Sequence, residues 1–295
     1  MKRGERNRFI ISFLAPAVIL YAVFVIWPLA QAFWLSLFRW RGLSPNKTFV
    51  GLQNYGELSG DSVFWRAVSH NVWLLVACGL ALIILGLAIA HAMQGAGRAA
   101  KALRAVYLFP QVISMVVVAI LWMFLLNPSY GLVTSGLKAI GLETLARPWL
   151  GDPGTALPAV GFAFIWCALG FYIMLFAAGL KGIPSEITEA ANLDGSAGIH
   201  KFWNVSWPML WSVRRVAFVY IVINVMNIFA LVFLMTQGGP DRHTEVSLTY
   251  LYEQAFKNNE FGYATAVAAA SFVVAMALSL SVLFVTRKDP QEARA

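Results

Sequence analysis

Six apolar runs, each long enough to cross a bilayer as a helix, constrain this chain more than any other feature; they lie near residues 10–38, 71–93, 105–126, 157–179, 213–236 and 264–286. A hydrocarbon core of ~30 Å takes about 20 helical residues. Backbone crossing that core must satisfy its own N–H and C=O groups, which leaves helices or closed barrels, and runs of this length read as helices. A charge at the centre of such a helix costs about 2.5–3.5 kcal/mol, and the six interiors carry none apart from Arg214 and Arg215 at one end of the fifth. The predicted fold is an all-α membrane protein with six transmembrane helices.

Composition agrees. The chain is 59% hydrophobic and 12% charged, against about 25% charged for soluble domains. Its net charge of +8 follows from basic membrane flanks, and no soluble basic stripe interleaved with aromatics points to nucleic acid. The opening Lys2-Arg3 stretch and the run behind it look like a secretory signal, but the run far exceeds an h-region of about 7–15 residues, so an uncleaved first span is expected. Cys78 and Cys167 fall inside spans as packing residues, and His70, His91, His200 and His243 are too scattered to suggest a metal site.

The basic residues orient the spans. With a cytoplasmic N-terminus, the inner segments hold Lys2, Arg3, Arg6, Arg8, Arg98, Lys101, Arg104, Lys181, Lys201, Arg214, Arg215, Arg287, Lys288 and Arg294, which is 14 of the 22. The outer loops hold the other 8: Arg39, Arg41, Lys47, Arg66, Lys138, Arg147, Arg242 and Lys257. Both termini are therefore expected inside, as is the polar island at 181–212.

That island is the second informative feature. Pro184 presets φ at the start of a short helix, Glu186 and Glu189 lie where the helix dipole favours anions, and Gly195 supplies a φ > 0 stop after Asp194. Ile187, Ala190, Ala191 and Asp194 recur at helical spacing, a stripe whose two alanines let another protein approach closely. A turn and a second short helix follow.

Glu189-Ala190-Ala191, then Asp194-Gly195, with Pro208 further on, resemble the "EAA" loop of inner-membrane permease subunits of binding-protein-dependent ABC importers. Phe49-Val-Gly-Leu-Gln-Asn-Tyr55, Asn127-Pro-Ser-Tyr-Gly131, Thr236-Gln-Gly-Gly-Pro240 and Gly262-Tyr263-Ala264 are similar, in this order, to the sugar and glycerol-phosphate permeases of maltose-permease type. The resemblance implies a type I importer permease fold, with segment 1–70 carrying the first helix and an external loop, 71–286 the transmembrane domain and 287–295 a tail. It implies a second related permease subunit, an extracytoplasmic solute-binding protein over the outer loops, and two ATPase subunits that use ATP and Mg and receive Glu186, Glu189, Ala190, Ala191, Asp194 and Gly195 as a coupling helix. It further implies residence in the inner membrane of a prokaryote and import of a sugar, oligosaccharide or polyol phosphate.

The energy source is expected elsewhere than in this chain. It has no G-x-x-x-x-G-K-[ST] phosphate loop, and its non-membrane segments are too short for a nucleotide-binding domain. No catalytic residues and no cofactor are expected in it. The competing classes are an ion-coupled secondary transporter and a structural membrane subunit. The first usually needs mid-span ionisable relays, and none is present.

Tyr220, Asn224 and Asn227 fall at i, i+4, i+7 on the fifth span. At ~1.5 Å per residue Asn224 and Asn227 lie about 13 and 18 Å beyond Arg215, astride the midplane. A partnerless amide there costs roughly 2–7 kcal/mol, so the face meets protein or water. Two readings stand: hydrogen bonds between helices, or a solute path. The resemblance favours the path, because such permeases bind sugar midway across the membrane with this helix and the preceding one. On that preceding span Trp166, Phe171 and Tyr172 offer rings against which a pyranose can stack; Phe171 and Tyr172 are the candidates.

Overall fold

A computed structural model describes residues 3–42, 46–94, 97–196 and 198–287. Two compact units partition the chain, one formed by Met1–Phe64 with Leu251–Phe272 and the other by Trp65–Tyr250 with Val273–Ala295.

The first unit contains helix α1 (Ile10–Leu35), a minimal antiparallel pair β1 (Phe38–Arg39) and β2 (Thr48–Phe49), and helix α2 (Gln53–Ser59). None of the apolar window of α1 is buried within the chain. Just beyond it the turn is tied by its own side chains. Asn54 is buried and donates to the carbonyls of Ser36 at 2.7 Å and Phe38 at 3.0 Å, while Ser36 Oγ and the Tyr55 hydroxyl lie 2.6 Å apart. Gly262 donates its N–H to Trp40 O at 3.0 Å, and a Cβ there would run into the Phe38 carbonyl. Tyr263 donates to Asp61 at 2.5 Å. The Phe49–Tyr55 and Gly262-Tyr263 motifs are thus two halves of one structural knot.

The second unit holds all but the first residues of α3 (Ser62–Ala92), then α4 (Gly97–Val112), α5 (Met115–Leu125), α6 (Ala156–Lys181), α7 (Ser185–Leu193), α8 (Trp211–Met226), α9 (Ala230–Met235) and all but the last residues of α10 (Ser247–Tyr252). Helix α11 (Phe261–Val285) runs from one unit into the other. Helix α6 is the most buried span, packed by α4, α5, α8 and α9. Small residues permit this: Gly161 puts its Cα face against Cys78 and Leu74, and Gly170 takes the Tyr107 carbonyl directly against its backbone. In lipid, where apolar side chains gain nothing by leaving tails for each other, such close backbone approach is what holds helices together.

Two spans differ from the straight helices expected. The second begins at Ser62, nine residues before the predicted start at 71, because its first turns lie outside the apolar window. The third is broken: the 105–112 stretch and α5 meet at 107°. Pro110 lacks an N–H and crowds the preceding turn, and Ser114 then takes an extended conformation (φ −57°, ψ 139°). Such a break is tolerated at membrane depth only where protein supplies the missing bonds; here the Pro110 carbonyl accepts from Ile113 N–H at 3.3 Å and from the Cys167 thiol at 3.5 Å. With this bent pair counted as one span, the described residues hold six candidate spans.

Candidate functional site

The polar island forms the cap geometry its sequence predicts, with one adjustment. Pro184 is the residue before the first helical position, extended at φ −55° and ψ 140°, so Ser185 opens α7. At the other end Ser196 N–H reaches Ala191 O at 2.9 Å and Gly195 N–H reaches Asn192 O at 3.1 Å, the double bond of a Schellman cap. Gly195 sits at φ +76°, which only glycine adopts without strain. Lys201 Nζ donates to Asn192 Oδ1 at 2.9 Å, pinning the following segment to the helix.

Glu186, Ile187, Glu189, Ala190, Asp194 and Gly195 are exposed, and Leu193 is 89% exposed. Ala191 departs from the expected stripe: only 8% of it is accessible, turned toward its own chain. The exposed surface of α7 is therefore Ile187, Ala190 and Asp194 flanked by two carboxylates, and Ala191 anchors it.

Helices α6 and α8 bring three of the predicted residues together. The ring of Tyr220 lies 4.5 Å from that of Phe171 and 6.4 Å from that of Tyr172, and Phe171 meets Tyr172 edge-on at 5.3 Å. Tyr220 is exposed, Phe171 half-buried and Tyr172 almost fully enclosed, so the last supports the ring cluster from behind. Trp166 instead packs on Trp122, 5.8 Å away.

Neither asparagine bridges helices. Asn224 Nδ2 donates to Tyr220 O and Asn227 Nδ2 to Ile223 O, both at 2.8 Å on their own helix, and Asn227 is exposed. Their carboxamides stay on the α8 surface, available to a ligand or a partner chain.

Asn227 is also where α8 stops. The chain is irregular from Asn227 to Phe229 before α9 resumes. Asn71, buried on α3, donates to the Val225 carbonyl at 3.1 Å and accepts from both the N–H and the hydroxyl of Ser247, at 3.0 and 2.9 Å. One amide thus ties three elements around the break. Sequence reading missed Asn71, whose signal is faint: an amide near the start of an apolar run. It also missed buried Glu245, which Thr249 and Arg242 contact at 2.5 and 3.3 Å in the segment after α9. Among the described residues no three His, Cys, Asp or Glu side chains converge as a metal group.

Residues 82–288 match the family described as binding-protein-dependent transport system inner membrane component. The chain belongs to that family. This permease is 38% identical to the probable ABC transporter permease protein YurN of Bacillus subtilis, over 91% of this chain and 92% of the other. It is 31% identical to the diacetylchitobiose uptake system permease protein NgcF of Streptomyces coelicolor, over 96% and 83%. A chain from the bacterial alginate ABC transporter, solved in complex with an alginate pentasaccharide-bound periplasmic protein, superposes with a TM-score of 0.81, covering 96% of this chain and 95% of that one at 23% identity. The fold is that of an ABC importer permease, and the chain is an inner-membrane transport component whose relatives include sugar permeases.

Proposed function

We propose that this permease forms half of the translocation path for a sugar, oligosaccharide or polyol phosphate, without catalytic chemistry of its own. A second related permease supplies the other half, two ATPase subunits hydrolyse ATP with Mg on the cytoplasmic side, and a solute-binding protein delivers cargo from outside. The observation that carries the reading is α7: a short, exposed helix closed by a left-handed glycine cap, which a soluble partner can grip and move as one piece. ATP-driven closure of the ATPases favours an outward-open path only through contacts that differ between the two states, and α7 with the 194–204 segment is where those contacts form. Tyr220, Asn224, Asn227 and Phe171, backed by Tyr172, line the path beside the α8 break. Amides there exchange hydrogen bonds with hydroxyls while the rings meet the apolar sugar face.

The solute face is tested by Asn224→Ala and Asn227→Ala. A site that hydrogen-bonds its solute discriminates strongly against partners that leave its polar groups unpaired. Both variants are expected to assemble and to keep binding-protein-stimulated ATP hydrolysis, while uptake falls about 10-fold or shifts between related solutes, one or two lost hydrogen bonds being worth roughly 1.5 kcal/mol. Unchanged rate and preference, or loss of the complex as the sole defect, contradicts the assignment. Orientation has its own check: a cysteine replacing Leu193, which is 89% exposed on α7, should react with an impermeant thiol reagent from the cytoplasmic face alone, the native Cys78 and Cys167 being buried. Labelling in intact cells reverses the topology.

A further inference from the structure

A cleft of about 620 Å³ runs along α8 on the strip that continues the Tyr220 face toward the start of the helix. Trp211, Ser212, Arg215 and Tyr220 line it from α8, and Leu283 and Arg287 from the end of α11; its remaining wall is aliphatic. Two cations thus share one largely apolar recess, and no carboxylate lies within ion-pair distance of either among the described residues. Arg215 Nε is buried without a hydrogen-bond partner, and Arg287 rests its guanidinium over the Phe284 ring at 4.4 Å, which holds the charge without neutralising it.

Four of the five arginines that the basic-residue count assigns to outer loops are treated differently. Arg39, Arg41, Arg147 and Arg242 pair with Glu57, Glu260, Asp152 and Glu245 at 3.0, 3.9, 3.6 and 3.3 Å, and Arg66 is the exception among the described residues. A positive-inside bias accounts for cations at the inner border. It does not account for two of them lining a recess continuous with the α8 face, one with a buried donor that stays destabilising until an acceptor reaches it. Low-dielectric walls focus the field of such a pair and raise the local concentration of anions.

We infer that this cleft is the inner vestibule of the solute path and that Arg215 and Arg287 select solutes bearing a carboxylate or phosphate, an acidic sugar or a sugar or polyol phosphate. The inference rests on the reading that the Tyr220–Asn227 face lines the path, and it narrows the solute class within that reading. Guanidinium forks suit both groups because each presents two oxygens for paired N–H bonds. The anionic headgroup of a lipid offers the same chemistry, so the test must separate the two sources.

Ser212→Cys places a thiol in the cleft, and inside-out vesicles carrying the permease with its natural partners expose it to reagents. After scaling to a free thiol, a sulfonate-bearing methanethiosulfonate should modify it about 10-fold faster than a trimethylammonium one, within the range of electrostatic steering. Arg215→Gln with Arg287→Gln should abolish that ratio, and Arg215→Lys with Arg287→Lys should retain it, which separates charge from folding. Glucose 6-phosphate should slow the modification and glucose should not. Equal protection by glucose overturns the anion selectivity while leaving the path reading intact. Absence of protection by either sugar overturns both. Retention of phosphatidylglycerol by the detergent-purified protein, lost in the double Gln variant and unaccompanied by glucose 6-phosphate protection, assigns the cleft to lipid and overturns the inference.

Discussion

Gly195→Val should leave the permease inserted in the membrane but lower ATPase association and solute uptake together. Gly195 sits at φ +76° with no atom within 4 Å of where a Cβ would stand, so the substitution meets no steric wall and acts through the backbone alone. A left-handed residue other than glycine costs about 1–2 kcal/mol, more for a β-branched one, which is roughly a 5- to 30-fold change in the population of the capped turn. The cap sets where Asp194 and the segment through Lys201 stand relative to α7, so the partner would meet a differently shaped surface. Membrane abundance, ATPase co-purification and uptake measured side by side check this. Normal uptake by Gly195→Val would show that the turn transmits nothing.

Gly170→Leu should act at the opposite level, on the folded bundle itself. A Cβ on Gly170 would collide with the Tyr107 carbonyl oxygen and stand 3.1 Å from the Tyr107 carbonyl carbon and 3.3 Å from Leu108 Cα. These are backbone atoms of α4, which cannot rotate away as a side chain would. Overpacking typically costs about 1–3 kcal/mol, and here it also parts the bent α4–α5 pair from the most buried helix. The expected result is a lower yield of folded chain and a thermal midpoint lowered by several degrees in detergent, with Gly170→Ala intermediate. An unshifted midpoint for Gly170→Leu would mean that the close approach of α4 to α6 does not stabilise the fold.

What could be seen in the sequence divides along the range of the forces involved. Runs of apolar residues report the solvent, so the spans were legible. The Asp194-Gly195 stop was legible too, because a left-handed cap is a local backbone requirement with one favoured residue. The break after Pro110 was not foreseen: the third run reads as one continuous span, and its 107° turn appears only in the structure, where the Cys167 thiol of α6 also reaches the Pro110 carbonyl. The inward turn of Ala191 was not legible, since i, i+3, i+4, i+7 spacing defines a face and leaves open which edge of that face its own chain covers. Least visible was Asn71, whose partners Val225 and Ser247 lie more than 150 positions away. Long-range polar ties leave no periodic trace. The motifs around Asn54-Tyr55 and Gly262-Tyr263 carry the resemblance to maltose-type permeases, and the structure gives them a physical reason: they lock the turn after α1.

The central claim is that α7 is the handle by which a cytoplasmic ATPase moves this membrane subunit, and a photoreactive amino acid at Leu193 tests it most directly. That side chain is 89% exposed on the helix and packs against nothing its fold requires, so replacing it should leave the chain intact. Irradiated in native membranes, the variant should yield one dominant adduct, with a soluble ATP-hydrolysing subunit, and ATP trapping should change its yield. Adducts with lipid or with other membrane chains alone, unaltered by ATP, would contradict the account.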